Sequence, residues 1–192
     1  MVKKNIYLTE TNIYLKTHMN EKLSMDDLGR MSSEEFKATQ KHKIILVLDN
    51  IRSLNNVGSA FRTSDAFLLE AIYLCGVTGT PPNHEIHKTA LGATETVSWK
   101  YFKTTQEAVI DLKQNNYFIA SVEQAKNSVM LNKFSKPNKP IAVIFGNEVY
   151  GVDQEIINQS DVCIEIPQYG TKHSFNVSVS MGIVLWELLR NS

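Results

Sequence analysis

Ile164-Glu165-Ile166-Pro167-Gln168-Tyr169-Gly170-Thr171-Lys172-His173-Ser174-Phe175-Asn176-Val177-Ser178-Val179-Ser180 holds a strand end, a polar loop and a helix start in one short run. Val162, Ile164 and Ile166 alternate with polar neighbours, which predicts a strand. Pro167, with no N–H to give a ladder, ends it. Gly170 opens the loop. Ser174 is placed to cap a helix whose apolar positions Val177, Met181, Val184 and Leu188 recur at spacings of four, three and four. Such a corner offers unpaired backbone N–H groups at the favourable end of a helix dipole.

Working outward, the same alternation of strand and helix fills the chain from residue 44. Ile44–Leu48 and Ile141–Phe145 are continuous apolar runs, as expected of strands buried on both faces of a parallel sheet. Ala71–Cys75, Thr96–Phe102 and Tyr117–Val122 also read as strands. Helices are expected from about Val57 through Leu69, over Thr105–Gln114 and over Val152–Gln159, and a short helical piece around Ile86–Leu91. Asn127–Lys139 reads as a loop. The fold class is therefore α/β, a mostly parallel sheet with helices on both faces. Residues 1–43 differ in composition and form a helical N-terminal extension, with capped helix starts at Ser24 and Ser32-Ser33. Lys3, Lys4, Lys37, Lys41 and Lys43 are its candidate substrate contacts. The main domain is 44–192.

Composition narrows the function without naming it. Twenty basic residues balance twenty acidic ones, so any surface for a polyanion has to be local, as at 3–4, 37–43, 100–103 and 133–139. No apolar run approaches the roughly 20 residues of a membrane span, and a cytoplasmic setting without a membrane partner is expected. Cys75 and Cys163 lie in apolar runs and read as buried thiols without metal-ligand spacing. His84-Glu85-Ile86-His87 is not the HExxH pattern, because its second histidine comes one position early, so no metal is assigned. Trp99 and Trp186 read as core or dimer packing.

Ligands of parallel sheets bind beyond the C-terminal strand ends. Three polar clusters fall there: Asn50 to Arg62, Gly146 to Gly151, and Gly170 to Asn176. None is a phosphate loop: GxxxxGK[ST] is missing, and so is GxGxxG between a strand and a helix. Gly146, directly after a strand, would let a ligand come close to the backbone.

These clusters carry a resemblance. Asn55-Asn56-Val57-Gly58-Ser59-Ala60-Phe61-Arg62-Thr63-Ser64-Asp65-Ala66-Phe67 resembles the first motif of the SpoU (TrmH-like) branch of the SPOUT RNA methyltransferases. Phe145-Gly146-Asn147-Glu148-Val149-Tyr150-Gly151 resembles the second. Ile166-Pro167, Gly170 and Ser174–Ser180 resemble the third, in the family's order. The resemblance covers roughly residues 44–190. Leu68-Leu69 stands where many relatives have a glycine, and Phe175 replaces a common leucine.

The resemblance implies a C-terminal trefoil knot, which no periodicity reveals. It also implies a homodimer, S-adenosylmethionine as methyl donor, and methylation of a ribose 2′-hydroxyl in tRNA or rRNA. It gives Asn56, Arg62, Glu148, Ser174 and Asn176 as the catalytic set. The backbone around Gly146, Ile166 and Phe175 would hold the cofactor, with Ser174 beside it and Val122 as a further wall. The C-terminal helix, through Val177, Met181, Leu185, Trp186 and Leu189, is the expected dimer surface, with Arg62 of one subunit working near Ser174 and Asn176 of the other. The rival readings are an RNA-binding protein of the same fold without catalysis and an unknotted nucleotide-binding α/β enzyme.

Overall fold

The structure is a computed structural model that describes residues 22–24 and 26–190. Lys3 and Lys4 lie outside the described residues. The chain divides into two units, Met1–Ser32 and Ser33–Ser192. In the first, Ser24 Oγ accepts from Asp27 N–H at 3.2 Å while the Asp27 carboxylate accepts from Ser24 N–H at 2.9 Å. This reciprocal cap starts a single 3-10 turn, Asp26–Leu28, where a helix was expected.

The second unit begins with helix α1 (Ser33–Ala38), whose Phe36 is buried. Strand β1 (His42–Asp49) leads to helix α2 (Leu54–Ala66), strand β2 (Leu69–Cys75), helix α3 (His84–Ala90), the helical turn α4 (Ala93–Thr96) and strand β3 (Trp99–Phe102). Helix α5 (Thr105–Gln114) and strand β4 (Phe118–Val122) follow. Then come β5 (Val129–Met130), β6 (Ile141–Phe145), helix α6 (Gln154–Gln159), strand β7 (Val162–Glu165) and helix α7 (Val177–Leu189).

The strands form one seven-stranded sheet in the order β3-β2-β1-β6-β4-β7-β5, parallel at every pairing. β1 shows why it must be covered on both faces. Ile44, Leu46 and Leu48 enter one core cluster with Val57, Phe61 and Ile86 and with Met181, Val184 and Leu185 of α7. Ile45 and Val47 enter the other with Ala108, Val109 and Leu112 of α5 and Ile156 of α6. Each fully buried aliphatic or aromatic side chain contributes about 1.5–3 kcal/mol.

β7 lies between β4 and β5, pairing Val122 with Ile164 on one side and Val129 with Ile164 on the other. The last strand therefore occupies a slot between two strands that precede it and are joined through 123–128. A chain end threaded through a loop requires this kind of insertion.

The structure corrects several expectations. β5 and a 3-10 turn, Leu131–Lys133, lie within the stretch read as loop. Helix α2 stops at Ala66, because Leu68 takes a left-handed φ of 51° and Leu69 already starts β2. Glycine is the residue that adopts such a φ without steric cost. Thr96 closes a helical turn instead of opening a strand. Cys75 is buried, and burial pushes its thiol up to about 12, but Cys163 is only half-buried. Neither tryptophan is core: Trp99 is 38% and Trp186 61% exposed.

Candidate active site

Because the sheet is parallel, the ends of β1, β4, β6 and β7 lie on one side of it. Leu48 and Val122 both pair with Phe145, and Val122 also pairs with Ile164, so the ends are level. Val122, Gly146 and Ile166 thus come from three adjacent strand ends.

Gly146 starts a tight turn closed by reciprocal bonds between Asn147 and Gly151, at 3.0 and 2.9 Å. A Cβ on Gly146 would lie 2.0 Å from Gly151 C and Val152 N. The glycine is thus demanded by the chain's own backbone, a reason that strand-end position alone does not reveal. Asn147 Oδ1 accepts from Val149 and Tyr150 N–H, and its Nδ2 donates to Asn50 O at 2.7 Å, which ties this turn to the loop after β1. The Glu123 carboxylate accepts from Val152 N–H at 3.1 Å and from Gln124 N–H at 2.8 Å. Asn147 stands inside a quoted motif, but Glu123 gave no sequence signal, since it acts only through a turn distant in the chain.

Glu148 reaches the start of α2. Its carboxylate accepts from Arg52 N–H at 3.1 Å, Ser53 N–H at 3.0 Å and Asn56 Nδ2 at 3.0 Å. Burial pushes this carboxyl up, but the donated hydrogen bonds outweigh it and hold it below the usual carboxylate range. Asn56 passes the contact on: its Oδ1 accepts from Asn176 Nδ2 at 3.3 Å. Asn176 in turn caps α7 by accepting from Ser178 N–H at 2.9 Å. One hydrogen-bonded chain, Glu148–Asn56–Asn176, therefore joins the three motif corners.

Asn176, not Ser174, is the helix cap. Asn176 has extended backbone (φ −59°, ψ 138°) just outside the first turn, where an asparagine oxygen reaches the N–H two residues on. Both residue types cap well, and spacing alone did not separate them. Ser174 and Phe175 lie on the exposed loop before it, with Phe175 41% exposed. Gln124 Nε2 donates to His173 O and fastens that loop to the end of β4.

Arg62 stands apart from this chain of bonds. It lies roughly 9 Å further along α2 than Asn56 and about a third of a turn round the helix. Its side chain is exposed and has no hydrogen-bond or ion-pair partner among the described residues. Asp65, three residues further on, is engaged by Thr96, whose Oγ1 donates to Asp65 Oδ2 at 2.5 Å.

A cleft of about 490 Å³ opens beside Ile166 and Pro167, closed by Leu131, Asn132 and the α7 residues Gly182, Ile183 and Trp186. Its size falls in the range of about 300–1,000 Å³ typical of small-molecule sites. Of the expected cofactor residues Ile166 lines it, while Val122 and Gly146 end the neighbouring strands. An apolar wall beside a strand end, with the Asn132 amide as a polar group, fits an adenosine-bearing ligand. Of the expected dimer surface, Met181 and Leu185 are fully buried within the chain and so cannot serve. Val179 and Trp186 are the large apolar residues that α7 exposes.

Comparison with known proteins agrees with this geometry. The model of the SpoU rRNA methylase family matches residues 43–186. A Borreliella burgdorferi protein described as an "uncharacterized tRNA/rRNA methyltransferase" is 32% identical over 176 residues, covering 92% of this chain and 75% of that one. The 23S rRNA (guanosine-2′-O-)-methyltransferase RlmB of Haemophilus influenzae is 28% identical, covering 85% of this chain and 66% of its own. Among solved structures, an AdoMet-bound rRNA methyltransferase from Sinorhizobium meliloti superposes with a TM-score of 0.73 at 26% identity, over 81% of this chain and 60% of that one. The A. aeolicus TrmH/SpoU tRNA modifying enzyme gives 0.72 at 28% identity, over 82% and 79%. The chain thus spans between three-fifths and four-fifths of these relatives. With a family model matched over most of its length and the motif corners joined in space, the chain belongs to the SpoU rRNA methylase family.

Proposed function

We propose that this chain methylates a ribose 2′-hydroxyl in tRNA or rRNA with S-adenosylmethionine as donor. The observation that carries the reading is the Glu148–Asn56–Asn176 chain, which draws all three family motifs to one side of a parallel sheet. Backbone and side chains at Val122, Gly146, Ile166, Ser174 and Phe175 hold the cofactor. When bound, it supplies a methyl group already activated on a sulfonium. The protein's task is then alignment, exclusion of water and accommodation of charge on the attacking oxygen.

Arg62 takes that last role. A guanidinium stays protonated in proteins, so its part is to clamp a phosphate beside the target ribose and to stabilise the developing alkoxide. Its exposure, and the lack of a partner for it among the described residues, support this. Glu148 already accepts three hydrogen bonds and sits below its ordinary pKa, so it organises the corner and does not serve as base. Asn56 and Asn176 hold the α2 and α7 starts together, and Ser174 contacts ligand from the loop above. The chain acts as a knotted homodimer in the cytoplasm, paired through the Val179 and Trp186 face of α7. Among the described residues no helix is long and apolar enough to cross a membrane.

The test is methyl transfer from labelled cofactor to total RNA, followed by mapping of the modified ribose. Label in a 2′-O-methyl nucleotide, lost in Arg62→Ala, is the expected result. Label on a base, or none with any RNA fraction, would overturn the reading.

A further inference from the structure

We infer that a second cleft, bounded by the start of α3, the turn α4 and the edge strand β3, receives an unstacked guanine base of the RNA; the inference rests on the function proposed above. This cleft, of about 570 Å³, is lined by Trp99, Pro81, Pro82, Asn83, His87 and Glu95 among others. Trp99, on edge strand β3, leaves 38% of its surface exposed. Sequence-specific RNA recognition works by stacking splayed bases on such rings and hydrogen-bonding their edges.

The polar groups of the cleft favour one base. The Glu95 carboxylate is exposed and has no hydrogen-bond or ion-pair partner among the described residues, so it is free to accept. Asn83 Oδ1 is occupied by Glu85 and Ile86 N–H, at 3.0 and 3.4 Å, which leaves its amide nitrogen as a donor. His87 adds a ring N–H. Guanine is the complement: its N1–H and N2 amine face a carboxylate side by side, and its O6 and N7 accept. Adenine sets an acceptor beside its amine, and that acceptor repels a carboxylate.

The turn that carries Glu95 is also tied to the helix that carries Arg62. Glu95 adjoins Thr96, whose hydroxyl is held by Asp65 at 2.5 Å. Asp65 lies one helical turn after Arg62 on the same face of α2. A nucleotide whose base enters the cleft thus brings its phosphates toward the surface that presents the unpartnered guanidinium.

The test uses the full chain labelled with 15N. Its two tryptophans, Trp99 and Trp186, give two indole N–H resonances. GMP should shift the Trp99 signal saturably at a concentration about tenfold below AMP or IMP, the latter lacking the N2 amine. Glu95→Gln, at an exposed and unpaired position, should abolish that preference. In methyl transfer, Trp99→Ala and Glu95→Gln should each raise KM for RNA by about fivefold or more, and by more than they lower kcat. Equal response to GMP, AMP and IMP would overturn the guanine assignment. Unchanged RNA KM alongside selective GMP binding would assign the cleft to a free nucleotide and overturn the RNA-base inference. Absence of transfer by the unmodified chain would instead sink the proposed function, while the resonance shifts would still decide the cleft.

Discussion

Asn176 donates through Nδ2 to Asn56 Oδ1 at 3.3 Å, a contact between residues 120 positions apart. Asn56 is 7% exposed and its amide is used in both directions, giving to Glu148 and accepting from Asn176. Replacing Asn56 with Ala leaves the Glu148 carboxylate short of a donor and Asn176 short of an acceptor. The expected cost is about 1–3 kcal/mol in chemical denaturation, together with loss of methyl transfer. Asn56→Asp should be worse, since it sets a second carboxylate against Glu148.

The hydrogen bonds to Glu148 make stability depend on pH. Its folded pKa is depressed, so its contribution is fully present above pH 4.5, the ordinary value. It is lost as pH falls through the lower folded value. Unfolding midpoints of Glu148→Gln and the unmodified chain should therefore differ at neutral pH and converge in acid.

Arg62 separates activity from folding. Because its side chain is exposed and unpartnered, Arg62→Ala should change stability by no more than about 0.5 kcal/mol. Methyl transfer should nevertheless be lost, and Arg62→Lys should not restore it fully, because an ammonium lacks the planar fork. Mixed dimers pairing Arg62→Ala with Asn176→Ala chains test where the site lies: regained transfer means residues from two subunits cooperate, and none means a site within one chain.

Ser64 is fully buried on α2, and its hydroxyl has no partner among the described residues. Ser64→Ala removes an unsatisfied polar group without changing the packing shape. The expected gain is about 1 kcal/mol, read from the denaturation midpoint.

Trp186, 61% exposed on α7, tests the dimer surface. Trp186→Glu should lower the sedimenting mass from two chains to one. An unchanged mass would place the interface elsewhere.

Residues 44–48, 105–114 and 141–145 were legible as elements because apolar runs and helical spacing are local signals. So were the corners that carry Asn56, Glu148 and Asn176. The slot taken by β7 was not legible, since strand order is decided by pairing and leaves no mark on periodicity. β5 was missed because two residues carry no alternation. The cap at Asn176 was placed two residues early, at Ser174, because serine and asparagine cap helices equally well. The stripe of Met181, Val184 and Leu188 on α7 was legible and is buried, but the burial of Leu185 and the loss of Met181 and Leu185 from the dimer surface were not. A helix apolar on most sides reads the same whether Leu185 or Trp186 faces the core.

The position of β7 sets an order on how the protein is made. Until residue 165 has left the ribosome, β4 keeps one row of backbone groups without a neighbour and β5 has no strand partner at all. A nascent chain therefore carries an incomplete sheet through most of its synthesis. The sheet is completed only when one of its last pieces slides into its interior.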